Sequence, residues 1–235
     1  MKISLVIPAY NEEKYIGACL ESVEKYGKDL FEVIVVNNGS HDRTTEIART
    51  FRGVKVVDEP KKGRPYARGR GITESKGDFL AYIDADCLLY SGWFPKIIKE
   101  FEADKSMVSL SGPYRYYDLP FLSNFFAQLG WWLSAPLAYC IVGYTLLAGN
   151  FVVKKKTLLD IGGFDNEILF YGDDTDLGRR LSLHGKVKFR MDFFVYTSGR
   201  RLQSGGLFKT FFLYGMNFIW EVVFKKPFTK SDENN

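Results

Sequence analysis

The stretch "FLAYIDADC", residues 79–87, is an apolar run that reads as a buried strand and stops at two carboxylates, Asp84 and Asp86, with Ala85 between them. Along an extended chain side chains alternate, so the two aspartates share one side while Ala85 points away. Like charges placed together repel, and partial burial makes each harder to ionise. Either the pair closes a strand at the surface, or Asp86 caps the next helix, or a cation is held there. The following helical pattern, "YSGWFPKIIKEF", has a candidate cap of its own in Ser91, and that leaves Asp86 unspent. Two oxygen ligands on one side suit Mg²⁺ or Mn²⁺. A bare D-x-D recurs by chance, so its neighbours decide its meaning.

Upstream, strand and helix signals alternate. "ISLVIP" (3–8) and "FEVIVV" (31–36) read as strands, with Ile16, Leu20 and Val23 at helical spacing between them. A helical "RTTEIARTF", a third strand "VKVVD" (54–58) and the connection "KKGRPYARGRGITESKG" lead to the fourth strand, "DFLAYID". This order predicts an α/β fold with a mainly parallel, twisted sheet flanked by helices. Ligands of such sheets lie at the carboxyl ends of the strands. "PAYNEE", "NNGSHD" and "DADC" each follow a predicted strand, so all three are expected on one edge. Tyr10 offers an aromatic face and Asn38 a donor–acceptor pair to a nucleobase; alternatively "NNGS" is a plain turn, with Asp42 as a helix cap.

Two further clusters lie downstream. In "YGDDTDLGRRL", Asp173, Asp174 and Asp176 open a helical pattern. Acidic residues there complement the helix dipole, and Asp176 with Arg180 forms an i, i+4 pair. Three carboxylates in four residues exceed that structural need, and a carboxylate in a cleft is what a general base requires. Arg200 and Arg201 in "TSGRRLQSGG" (197–206) follow a strand "DFFVYT"; they are either a solvated pair or a phosphate contact.

The totals narrow the function classes. A chain of 235 residues that is 46% hydrophobic can bury a substantial core, and a net charge of +4 is too weak to suggest a nucleic-acid partner. Cys19, Cys87 and Cys140 have no paired spacing, and His41 and His184 are the only histidines. Neither a disulfide framework nor a zinc site is expected. The short apolar run in "MKISLVIPAYNEE" does not resemble a signal peptide, which predicts a cytoplasmic protein. From Leu119 to Val153 there is no charged residue, a length sufficient for a bilayer span, although Asn124, Gln128, Gly130, Pro136 and Gly143 interrupt it.

Taken together, "VIPAYNEEKYI", "VIVVNNGSHDRT", "GRPYARGRGI", "YIDADC", "LAGNFVVKKKTLLDIGGFDNEI" and "YGDDTDLGRRL" resemble, in order and spacing, the family 2 glycosyltransferases. The resemblance covers about residues 1–200 and implies a GT-A fold, a Rossmann-like nucleotide-binding half plus an acceptor half, and inverting transfer of one sugar. The implied organisation is a catalytic domain over 1–204, divided into halves at 1–90 and 91–204, with the apolar segment 119–147 in the second. An aromatic-rich helix and tail occupy 205–235. Carried over by position, Pro8, Ala9, Tyr10 and Glu12 surround the nucleoside, Asn38 contacts the base, and Arg68 lies near the nucleotide. Asp84, Ala85 and Asp86 form the D-x-D, with Asp86 the more direct ligand of Mn²⁺ or Mg²⁺ and Asp84 beside it. Asp174 is the catalytic base, and Asp173, Arg200 and Arg201 serve phosphate or acceptor.

Asn37 and Asn38 replace the family's usual acidic pair, which leaves UDP and GDP open. The absence of a Gln-x-x-Arg-Trp signature predicts non-processive transfer. The resemblance implies a nucleotide-sugar donor and a sugar or lipid-linked acceptor with a hydroxyl or phosphate nucleophile. The segment 119–147 and the helix "GGLFKTFFLYGMNFIWEVVFKK" either contact a membrane peripherally, pack on each other, or bury in a homodimer. Two rivals differ in class. A nucleotidyltransferase would want a basic, glycine-rich loop after the first strand, and "PAYNEEK" is not one. An inert nucleotide-sugar-binding or membrane-adaptor protein would not need Asp84, Asp86 and Asp174 together.

Overall fold

β1 (Ile3–Ala9) is apolar on both faces and almost wholly buried, as a strand covered by helices on each side must be. In the computed structural model, which describes residues 1–168, 172–225 and 228, its side chains divide between two cores. Ile3, Leu5 and Ile7 meet Ile16, Cys19, Leu20 and Val23 of α1 (Ile16–Tyr26). Val6, on the opposite face, joins the core of α3 (Arg64–Glu74). A methyl group on Gly71 of α3 would come within 2.3 Å of Val6 Cγ1, so glycine permits the close approach of helix to strand.

β2 (Glu32–Asn37), α2 (Thr44–Thr50), β3 (Val54–Asp58) and β4 (Phe79–Ile83) complete the first half. β3, β2, β1 and β4 pair in parallel, in that order. The mainly parallel sheet flanked by helices therefore stands, and it continues into a second half of different polarity. After α4 (Trp93–Ala103) come β5 (Met107–Ser111), β6 (Tyr114–Tyr116), the long α5 (Phe121–Val142) and β7 (Asn150–Lys154). β7 runs antiparallel to both neighbours, β4 and β5. The chain ends with α6 (Lys155–Asp160), α7 (Asp173–Ser182), β8 (Lys186–Phe189), β9 (Val195–Thr197), α8 (Arg200–Gly205) and α9 (Leu207–Phe224). β8 closes the seven-stranded sheet beside β5, and β6 with β9 forms a separate two-stranded ribbon.

Two expectations are corrected. Ser91 does not cap α4: Gly92 holds the cap position, with no side-chain cap bond. The helix starts instead on a turn in which Trp93 N–H donates to Tyr90 O at 3.0 Å, above the wholly buried Trp93 indole. The chain also leaves β4 at Ile83, and residues 84–87 form a turn closed by Cys87 N–H to Asp84 O at 3.0 Å. Turn geometry, rather than strand alternation, therefore sets the two aspartates. Of the helix and tail expected over 205–235, positions 226, 227 and 229–235 lie outside the described residues.

The halves are joined at β7. Asn150 is fully buried. Its Oδ1 accepts from Trp93 Nε1 at 3.1 Å, and its Nδ2 donates to Gly112 O at 3.2 Å and Phe193 O at 3.0 Å. Each buried polar group left without a partner costs about 1–3 kcal/mol. Asn150→Ala orphans three and leaves a small cavity, so urea unfolding is expected to show a loss of at least ~3 kcal/mol. A loss under ~1 kcal/mol would show that the amide does not join the halves.

Candidate active site

The carboxyl edge of β1, β2 and β4 gathers the three loops. Glu12 N–H donates to Thr44 Oγ1 at 2.7 Å, Asn11 N–H to Ser40 Oγ at 3.1 Å, and His41 N–H to Asn11 Oδ1 at 2.9 Å. Glu13 N–H donates to Asp42 Oδ2 at 3.0 Å. The polar segments after β1 and β2 are thus stitched into one unit. Asp42 also accepts from Thr44 N–H at 3.0 Å, as a turn residue does, but the cap position of α2 falls on Arg43, with no side-chain cap bond, so the expected cap is corrected. Burial opposes its ionisation, but the bonds from Thr44 and Glu13 prevail and its pKa is lowered.

At the end of β4 the two aspartates enter different charge pairs. Asp84 stands 3.7 Å from Arg68 Nη2 and accepts from Tyr114 Oη at 3.4 Å. Asp86, only 8% exposed, accepts from Thr197 Oγ1 at 3.3 Å and lies 3.2 Å from Arg200 Nη2. Ala85 is buried in the core between them. Burial, reinforced by the charge of Asp84 and opposed by Arg200, pushes the Asp86 pKa up to about 6. Gly149 leaves room for Asp84: a methyl group there would lie 2.3 Å from Asp84 Oδ2 and 2.1 Å from Tyr114 Oη.

The acidic run at the start of α7 is sorted by its partners. Asp173 is bonded to Arg68 Nη1, so buried Arg68 bridges Asp173 and Asp84. Asp176 is taken by Arg179 at 2.5 Å and Arg180 at 2.7 Å, the expected i, i+4 pair among them. Asp174 forms no ion pair among the described residues and accepts from Thr175 N–H at 2.8 Å. Burial first, then the neighbouring Asp173 charge, raises its pKa to about 7. The helix begins after Gly172 at φ +89°, a left-handed conformation that suits glycine.

The remaining predicted residues divide. Tyr10 is exposed at the edge, with Lys62 Nζ 5.3 Å from its ring, and Pro8 and Ala9 end β1 beneath it. Glu12 is clamped by Arg200, Nη1 to Oε2 at 2.8 Å and Nη2 to Oε1 at 2.5 Å, with Tyr15 beneath the guanidinium. Arg201 donates to Tyr214 Oη at 3.2 Å. Asn38 does not present its amide to an open cleft. Its Nδ2 donates to Glu59 O at 3.0 Å and Lys61 O at 2.8 Å, and its Oδ1 accepts from Gly63 N–H at 2.8 Å. The side chain shapes the β3–α3 loop. Arg64, four residues before Arg68 on α3, is a site residue that the sequence reading omitted; burial lowers its pKa, and its charged neighbours are Arg201, Asp84, Arg68 and Asp173. The i, i+4 spacing to Arg68 was the available signal.

The donors fit a divalent ion bound partly by its substrate. No group of three or more metal-ligating side chains occurs among the described residues, whereas Mg²⁺ sites of this type use one or two carboxylates plus phosphate oxygens. Asp86, whose charge is opposed by burial and by Asp84, is a carboxylate that a cation would relieve.

A parallel half joined to an antiparallel β7, with two aspartates at the junction, is the GT-A arrangement. The profile of glycosyl transferase family 2 matches residues 4–133, more than half the chain, and the chain belongs to that family. Glycosyltransferase AglE of Haloferax volcanii is 29% identical over 182 residues, which are 73% of this chain and 58% of AglE. The chain thus spans little more than half of that relative. S. aureus TarS residues 1–349 superposes with a TM-score of 0.68 at 19% identity, over 96% of this chain and 74% of that one. Mannosyltransferase PcManGT from Pyrobaculum calidifontis, solved with GDP-Man and Mn²⁺, gives 0.65 at 18% identity, over 84% and 56%. These structural likenesses show the fold.

The raised Asp86 pKa carries a stability prediction. A carboxyl whose pKa rises on folding from 3.8 to about 6 favours the fold only while protonated. That contribution is complete below pH ~4 and is lost as pH rises through about 6. Asp86→Asn is therefore expected to raise the unfolding free energy at pH 8 by as much as ~3 kcal/mol, measured by urea titration. It should also flatten the pH dependence of stability between pH ~4 and ~7. A destabilised variant at pH 8 would mean that the pair with Arg200 outweighs the burial of the charge.

Proposed function

We propose that the chain moves one sugar, with inversion and without processivity, from a UDP- or GDP-linked donor to an acceptor hydroxyl or phosphate. The observation that carries this reading is Asp174: a carboxylate without an ion pair among the described residues, beside the Asp173–Arg68–Asp84 bridge, with its pKa raised to about 7 by burial and by Asp173. TarS has been solved with UDP-GlcNAc and PcManGT with GDP-Man and Mn²⁺, and nucleotide-sugar donors of both base types support the donor class.

For a hydroxyl acceptor, Asp174 takes the proton as the acceptor oxygen forms its bond to the anomeric carbon. The bond from that carbon to the diphosphate oxygen breaks, and the nucleoside diphosphate departs with the electron pair. A phosphate acceptor attacks through an oxygen already charged, and Asp174 then orients it through any remaining proton. Asp84 and Asp86 would hold Mn²⁺ or Mg²⁺, whose chemistry is to offset the charge gathering on the leaving diphosphate. Arg64, Arg68 and Arg201 add positive charge on the α3 side. Arg200 neutralises Asp86 and Glu12 as the structure stands, and it becomes a phosphate ligand only by exchanging those partners. Tyr10 and the Pro8–Ala9 backbone line the nucleoside side, and the Asn38-braced loop supports it.

Asp174→Asn is expected to lower kcat by about 10²–10⁴-fold while donor binding by calorimetry is retained; near-normal turnover would remove the base assignment. With a hydroxyl acceptor, the rate should climb with pH and level off above about 7, because protonated Asp174 cannot accept. A rate independent of pH from 5 to 9 in the wild type would place the base elsewhere. Thermal-shift titration with UDP- and GDP-sugars, with and without Mn²⁺, identifies the base and the metal dependence together.

A further inference from the structure

The two long helices of the second half are inside out. In α5, which has 22 residues and no charge, only Ala127 and Ala135 are buried. Phe121 is 88% exposed, Ile141 71% and Trp132 66%, with Leu133 and Leu137 alongside. In α9 the buried positions among the described side chains are Thr210, Asn217 and Glu221, while Phe212, Ile219, Val223 and Phe224 face outward. A surface helix of a water-soluble domain shows the reverse distribution, and contiguous exposed apolar faces of this extent mark an interaction site.

The helices touch where Phe211 packs against Gly130 and lies 6.5 Å from the Trp131 ring. Mutual packing, one of the expected outcomes, therefore occurs along one edge and leaves the outer faces bare. Although α5 is the one described helix long and apolar enough to cross a membrane, its inner side is fastened to the protein. Gln128 Nε2 donates to Tyr114 O at 3.1 Å and Trp131 Nε1 to Tyr116 Oη at 3.4 Å. So anchored, the helix lies along a surface.

Charge selects the partner. Glu221 is the one carboxylate in the two helices and is 1% exposed. Lys209 and Lys225, both exposed, flank the α9 face, and exposed Arg115 lies in the groove beside Phe125 and Trp132. An apolar plane with a cationic rim complements anionic headgroups and disfavours a like-charged second copy. We propose that the α5–α9 face docks peripherally on an anionic bilayer. On the inner side of the same helix Gln128 and Trp131 hold β6, whose Tyr114 hydroxyl donates to Asp84, so the docked helix also backs the site. Resting on the glycosyltransferase reading, this makes the acceptor a hydroxyl or phosphate carried on a lipid.

The test is flotation of the full chain with phosphatidylcholine vesicles and with vesicles containing phosphatidylglycerol. Strong binding to the anionic vesicles is expected, several-fold weaker on phosphatidylcholine alone and at high salt. Leu133→Glu with Leu137→Glu should lower partitioning at least about tenfold while preserving the nucleotide-dependent thermal shift. Should that variant fail to fold, Lys209→Glu with Lys225→Glu should remove the preference for anionic lipid. Asp174→Asn should float like the wild type, which separates docking from catalysis. Absence of vesicle binding by the wild type overturns the proposal, as does a dimer that Leu137→Glu dissociates without any lipid binding.

Discussion

A single buried amide holds the two halves of this chain in register. Asn150 sits at the first position of the one antiparallel strand pair series in the large sheet, and its side chain satisfies groups from three separate segments: the Trp93 indole, Gly112 O and Phe193 O. None of those groups has water to turn to, so the segments are fixed relative to β7 by the cost of leaving any of them unpaired. The residue before it, Gly149, has no side chain because Asp84 and Tyr114 occupy the space. Fold and site therefore meet in two consecutive residues. Any shift of β7 that disturbed the amide would carry Gly149 with it and displace an aspartate of the turn.

The electrostatics of the edge follow from that placement. Arg68 and Arg200 each span two carboxylates, Arg68 joining Asp84 to Asp173 and Arg200 joining Glu12 to Asp86. These bridges connect the β1 loop, the β4 turn, the start of α7 and the start of α8. Asp86 and Asp174 nevertheless both have raised pKa values, with burial the first cause in each and a neighbouring aspartate the second. A fold organised for stability alone would not keep two such carboxylates. The proposed function gives them a use, a cation at one carboxylate and a proton at the other.

The first half was legible because a parallel sheet spells its strands as continuous apolar runs and its crossovers as helical patterns. β1 to β4, with α1 and α2, lie where those patterns place them, and the connection before β4 holds α3. The direction of β7 was not legible, since "NFVV" is apolar whichever way it runs and its partners are distant in sequence. Asn38 shows the same limit at the scale of one side chain. Its hydrogen-bonding capacity is written in the sequence, but the three backbone groups that consume it belong to residues 59–63. The D-x-D was read as a pair through an argument about alternation that the turn at 84–87 replaces. The resemblance singled out Asp174, but the acidic run by itself could not, because the claims of Arg68 on Asp173 and of Arg179 and Arg180 on Asp176 are not written in it.

The same reasoning bears on the apolar helices. Composition marked both segments as unusual, yet it could not separate a core helix from a surface one, because the two differ only in which side faces inward. The decisive feature is the polar identity of what is buried. Thr210, Asn217 and Glu221 form the inner stripe of α9, and neither Glu221 carboxylate oxygen has a hydrogen-bond partner among the described residues. Burial, then the nearby Asp176 charge, raises the Glu221 pKa. Turning α9 over would bury Phe212, Ile219 and Val223 and return that carboxylate to water. In aqueous surroundings both changes are favourable, and the docking proposed above would give the outward face an apolar environment of its own.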